Sequence, residues 1–113
     1  MKYNTCGGIY ARWINEQAVG GAPPRINASR PPGEWQTYDV IFRAPKFDGA
    51  GNKVADTVFE KVVWNDEVVH ENGVLDGPTR GGMEPERAQG PLVLQGDHGP
   101  VAYRNIRLRE LGI

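Results

Sequence analysis

Two side chains able to move a proton stand next to each other near the C-terminal end of the sequence, Asp97 and His98, flanked by Gly96 and Gly99 and preceded by Gln95. The glycines let the chain bend sharply, so a carboxylate and an imidazole are held close together at a strand end. General acid–base chemistry needs that pair, an imidazole to take or give the proton and a carboxylate to orient it. The same residues also make a good turn, in which Asp97 bonds nearby backbone N–H groups and His98 braces the loop. Both readings stand on sequence grounds.

A second polar cluster, His70-Glu71-Asn72, falls at the end of a hairpin. Together with His98 and Asp97 it offers oxygen and nitrogen donors for a divalent metal, the one cofactor the chain suggests, although no local ligand spacing marks such a site. Only two His are present, and a solvated hairpin end is the simpler account of the cluster. Glu34 and Trp35 open the strongest strand, where an indole can stack on the flat face of a ligand and a carboxylate can accept hydroxyl bonds. Trp35, Trp13 and Trp64 also suit a core, since large aromatics bury most area in a small β domain. Arg80 sits in a Gly-rich loop from which a guanidinium can reach a ligand oxygen through two parallel bonds, or simply remain solvated. Arg104, Arg107 and Arg109 read as a solvated edge, and Cys6 as a small buried hydrophobe.

The elements that must position these groups follow from composition. The chain has 113 residues, 13 Lys+Arg against 14 Asp+Glu and a net charge of -1, which suits a single domain over residues 1–113. Leu, Ile, Val and Phe make up 25 of the 113, just above the level of a disordered chain. The near-neutral balance argues against nucleic acid as a partner, because phosphate contacts need clustered Lys and Arg. No apolar run approaches a membrane span, and Met1 to Thr5 lack the apolar core of a signal peptide, so as written the chain reads as soluble and without an export signal.

Apolar residues alternate at period 2. Gln36, Tyr38, Val40 and Phe42 line one side of a strand over Trp35–Ala44, Asp48 to Asn52 is turn chemistry, and Thr57–Trp64 is a second long strand. Asn65-Asp66 predicts a tight antiparallel hairpin into Glu67–His70. A first strand is expected over Cys6–Trp13, an irregular connection over Asn15–Glu34, and last strands over Pro91–Gln95 and Val101–Leu111. No window carries a helical stripe. The expected class is all-β, an antiparallel sandwich.

The segments Asn27 to Asp39 (NASRPPGEWQTYD) and Gly90 to Ile106 (GPLVLQGDHGPVAYRNI) resemble the 3-keto-disaccharide hydrolase family, with His70-Glu71-Asn72 and Gly77-Pro78-Thr79-Arg80 between them similar to its hairpin and following loop. The resemblance implies a concanavalin-like jelly roll of two curved sheets and activity on 3-keto-glycosides, in a family many of whose members are exported. It covers the family's C-terminal portion, so the expectation is a partial jelly roll completed by homodimerisation: a sheet with an apolar face must bury it against a second layer. Two functional readings result. One is a carbohydrate-active enzyme with His98 as base, Asp97 orienting it, and Glu34, Trp35, Glu71, Arg80 and Gln95 contacting sugar. The other is a non-catalytic carbohydrate-binding or structural homodimer.

Overall fold

In the computed structural model, residues 6–79 and 85–111 are described. Secondary structure among them is entirely β, with seven strands: β1 (Arg12–Ile14), β2 (Gln17–Val19), β3 (Tyr38–Arg43), β4 (Lys46–Phe47), β5 (Lys53–Ala55), β6 (Thr57–Trp64) and β7 (Glu67–Leu75). All pairings are antiparallel, in a three-stranded sheet ordered β3-β6-β7 and two short hairpins, β1-β2 and β4-β5.

Turn chemistry sets the hairpins. Asn65 and Asp66 both have positive φ (50° and 67°), the geometry whose twist matches that of the flanking strands, and β6 runs straight into β7 with Trp64 opposite Glu67. Asn15 and Glu16 repeat it between β1 and β2, at φ 51° and 64°. The turn and second strand of this hairpin lie inside the stretch Asn15–Glu34 expected to be irregular. The prolines of Pro23-Pro24 and Pro31-Pro32 stop strands only further along the chain, and they leave Gln17–Val19 free to pair. Asp48 closes the β4-β5 turn as expected, accepting the backbone N–H groups of Ala50 and Asn52, both at 2.9 Å. Those bonds, the Asn52 one foremost, hold the Asp48 carboxyl below its ordinary value.

Asn65 does more than turn the chain. Its Oδ1 accepts the Thr37 N–H at 2.9 Å, and its Nδ2 donates to the Ala28 carbonyl at 2.8 Å and to Gln36 Oε1 at 3.1 Å. Gln36 Oε1 also takes the Arg30 N–H and the Trp64 indole N–H, each at 2.9 Å. One amide pair thereby fastens the Pro-rich connection and the start of β3 to the end of β6, satisfying donors that would otherwise lack partners.

The core is small. Val62 and Val69 are fully buried, joined by Ile9, Ala11 and Leu75. Residues 7–25 lie against β6 and β7: a Cβ built on Gly7 would touch Val69 and Trp64, Arg25 donates its N–H to the Val69 carbonyl at 2.8 Å, and Ile9 bridges Ala22. Gly21 makes this packing possible, because at φ 74° a Cβ there would come within 2.6 Å of the Ala11 nitrogen.

That cover does not extend over β3. On its apolar face Tyr38, Val40 and Phe42 are 56%, 38% and 54% exposed, with only Trp64 and Phe59 as ring neighbours to Tyr38 and Phe42. Residues 91–95 and 101–111 correct the expectation of two further strands. They form none, because no edge among the described residues pairs with them, and Leu92, Val93, Leu94, Val101, Ile106 and Leu108 stay exposed. The radius of gyration, 14.8 Å, exceeds the roughly 13 Å of a compact chain of this length. Two burial expectations also fail: Cys6 is exposed, and Trp13 is half exposed at the rim of β1, where a three-residue strand offers no layer deep enough to enclose an indole.

Replacing Asn65 with Ala should therefore cost about 2–3 kcal/mol in urea unfolding, from its side-chain bonds and the left-handed backbone together. Glu16→Gly should do the opposite, raising stability by about 1 kcal/mol, because glycine occupies φ 64° without penalty.

Candidate functional site

The turn 96–99 brings together the residues singled out for proton transfer. His98 Nδ1 lies 2.6 Å from Asp97 Oδ1, a distance that places the ring proton on Nδ1, donated to the carboxylate. In the neutral ring Nε2 then carries the free lone pair. Gln95 Nε2 lies 3.1 Å from the same ring nitrogen and also helps to hold the carboxylate. The hydrogen bond from His98 foremost, with its charge and Gln95 adding, keeps the Asp97 carboxyl below its ordinary range. Gly99, at φ 106°, makes the bend that returns the chain.

Two tyrosines that sequence reasoning passed over frame the pair. Tyr103 donates its hydroxyl proton to the Gln95 carbonyl at 2.6 Å, tying together the two arms of the turn. Its position eight residues after Gln95, across a Gly-Pro bend, was a usable signal. Tyr10, whose ring centroid is 6.4 Å from that of His98, comes from the N-terminal segment, and nothing local in the sequence links the two. The site is open: both Asp97 and His98 are exposed, at 77% and 64% of their side chains.

The other expected site residues lie apart. Glu34 is exposed, and Trp35 is half exposed with the Arg104 guanidinium 3.8 Å from its ring centroid, a stacking that occupies one face of the indole. Arg104 thus has a partner where a solvated edge was expected. Glu71 sits on β7 opposite Lys61. Among the described residues no hydrogen bond, ion pair or ring contact joins Glu34, Trp35 or Glu71 to the Asp97–His98 pair. Arg80 lies outside the described residues.

His70 turns inward. It is buried, and its Nε2 donates to the Gly7 carbonyl at 2.6 Å, so it serves the packing of the N-terminal segment on β7. Its neighbours Glu71 and Asn72 face solvent. The donor set proposed for a divalent metal therefore does not converge, and no group of three or more His, Cys, Asp and Glu suited to a metal is gathered among the described residues.

Concave surface lies elsewhere. A cleft of about 240 Å³ runs between Phe42, Phe59 and Leu75 on one side and residues 86–91 on the other, and a shallower groove borders Arg12, Trp13 and Glu86. Lys53 fixes this region, its Nζ reaching Glu86 and the Asp76 carbonyl at 2.9 Å and Asp56 at 3.0 Å. Neither concavity is lined by Asp97 or His98. No helix among the described residues is long and apolar enough to cross a membrane.

A sequence model of the 3-keto-alpha-glucoside-1,2-lyase-like domain matches residues 1–109. No curated protein and no solved structure matches the chain.

The bond between Asp97 and His98 has a direct readout. In an NMR titration the Asp97 carboxyl should protonate at a pH below that of an ordinary aspartate, and His98→Ala should move the midpoint back up.

Proposed function

The chain belongs to the 3-keto-alpha-glucoside-1,2-lyase-like family, and from that premise we propose that it acts on a 3-keto-glycoside with His98 as the base. The observation carrying this reading is the 2.6 Å Asp97–His98 bond, which fixes the tautomer and leaves Nε2 to work. The carbonyl at C3 of such a sugar acidifies the hydrogen at C2. His98 Nε2 takes that proton, and the C–H electron pair moves onto the carbonyl oxygen as an enolate. The pair then returns to form the C1–C2 double bond as the C1–O bond breaks, and the protonated imidazole gives its proton to the departing oxygen. Gln95 steadies the carboxylate, and the Tyr10 ring borders the imidazole on which the sugar must close. Glu34, Trp35 and Glu71 serve as more distant sugar contacts.

A second reading has its own support. The bare face of Tyr38, Val40 and Phe42 and the unpaired segments 91–95 and 101–111 are what a jelly-roll sandwich lacking part of a layer would expose. On this reading residues 1–113 form one β-sandwich unit that a second copy completes, and the protein binds carbohydrate or serves as a scaffold without turnover.

A chromogenic 3-keto-glucoside separates the two. Turnover above buffer, reduced at least a hundredfold in His98→Ala and about tenfold in Asp97→Asn, is the outcome expected of the enzyme. Absence of turnover, with and without added divalent metal, would leave the non-catalytic reading, which calorimetry with plain oligosaccharides then resolves into binding or scaffold.

A further inference from the structure

β3 is the outermost strand of its sheet, and its one strand partner among the described residues is β6. The outer edge therefore presents, on alternate residues of Tyr38 to Arg43, backbone N–H and C=O groups with no strand partner among the described residues, and the strand lacks the proline, glycine or lysine that commonly blunts such an edge.

The edge is complementary to itself. In an antiparallel pair related by a two-fold axis through the sheet, a strand meets its own copy in registers centred on one residue. Centring on Ile41 sets Asp39 opposite the partner's Arg43 and Val40 opposite the partner's Phe42, each pair occurring twice. Asp39, Ile41 and Arg43 share one face of the strand and Val40 and Phe42 the other, so charge meets opposite charge and apolar meets apolar. Centring on Val40 or on Phe42 would instead place Asp39 or Arg43 against Ile41. The charges suit this use. Asp39 has no side-chain partner among the described residues, and Arg43 uses only Nε and Nη2 on Glu60, at 3.3 and 2.7 Å, leaving Nη1 to reach across.

We propose that β3 is the self-association edge of this protein, pairing with β3 of a second copy about Ile41 to give a continuous sheet ordered β7-β6-β3-β3-β6-β7. This rests on the dimer reading above and adds its geometry. The pairing also brings the two exposed Tyr38-Val40-Phe42 rows onto one side of the joined sheet, where each Val40 covers a partner ring.

The test is sedimentation velocity on the full chain under reducing conditions, over a concentration series reaching about 100 μM. Wild type should sediment as a dimer. Asp39→Arg, and Arg43→Asp combined with Glu60→Gln to spare the new carboxylate a like-charged neighbour, should each raise the dissociation constant at least about tenfold, since two attractive pairs become repulsive. An equimolar mixture of the two variants should recover wild-type association, because every charged position then faces its opposite. Hydrogen exchange gives a readout without substitution: the outward amides of β3 should exchange more slowly as wild-type concentration rises. A monomeric wild type overturns both this inference and the dimer reading. A dimer indifferent to the substitutions, a mixture that does not recover, or concentration-independent exchange in β3 overturns the edge geometry alone.

Discussion

The main sheet of this molecule depends on β6 being bonded along both edges. Six of its eight residues pair with β3 on one side and seven with β7 on the other, and its register is held where the strand ends, by the Asn65 amide and the Gln36 oxygen it shares with the Trp64 indole. Without that junction the Pro-rich connection would have little to hold it, since Pro23, Pro24, Pro31 and Pro32 cannot donate to any ladder. The side chains of one turn thus substitute for backbone pairing that the sequence forbids nearby, and they deliver β3 to the sheet at a fixed register.

The same sheet explains why the fold is only partly covered. The ends of the segment 7–25 cover β7 and the end of β6, with Gly7 beside Trp64, Val69 and His70 and Arg25 bonded to the Val69 carbonyl, and that cover runs out before β3. Buried apolar area is the dominant favourable contribution in any small domain, and here a large share of it stays wet. The C-terminal residues repeat the pattern, with no strand formed and apolar side chains facing water. Tyr103 and Arg104 anchor the segment through single contacts, to the Gln95 carbonyl and the Trp35 ring.

How much was readable in advance follows from which interactions are local. The long strands, the Asn65-Asp66 hairpin and the Asp48 turn are fixed by period-2 alternation and by residues that tolerate positive φ, both visible in a few consecutive letters. The hairpin of β1 and β2 escaped because its turn is Asn15-Glu16, and glutamate is a poor residue for φ 64°. Strands over 91–95 and 101–111 were expected and are not formed, because a run of strand-favouring residues shows only that a segment is able to pair, whereas pairing needs an edge. At the site, the Asp97–His98 contact was legible because adjacent residues on a glycine-flanked bend can hardly avoid one another. The inward turn of His70 toward the Gly7 carbonyl was not, being a contact across 63 positions.

The site and the uncovered layer are aspects of one problem. A carboxylate–imidazole pair in water is screened and competes with solvent for every bond it makes, whereas the same pair beneath a second layer acts in a medium where its charges count for far more. Asp97 and His98 are bonded to each other but open to solvent, and the segments that flank them, 91–95 and 101–111, are the ones whose apolar side chains lack cover. Closing those segments into a sheet would exclude water from the turn they carry and so strengthen the pair without moving it. For the proposed reaction the local sequence supplies the acid–base pair, and the burial that would make such a pair effective has to come from elements packed around it.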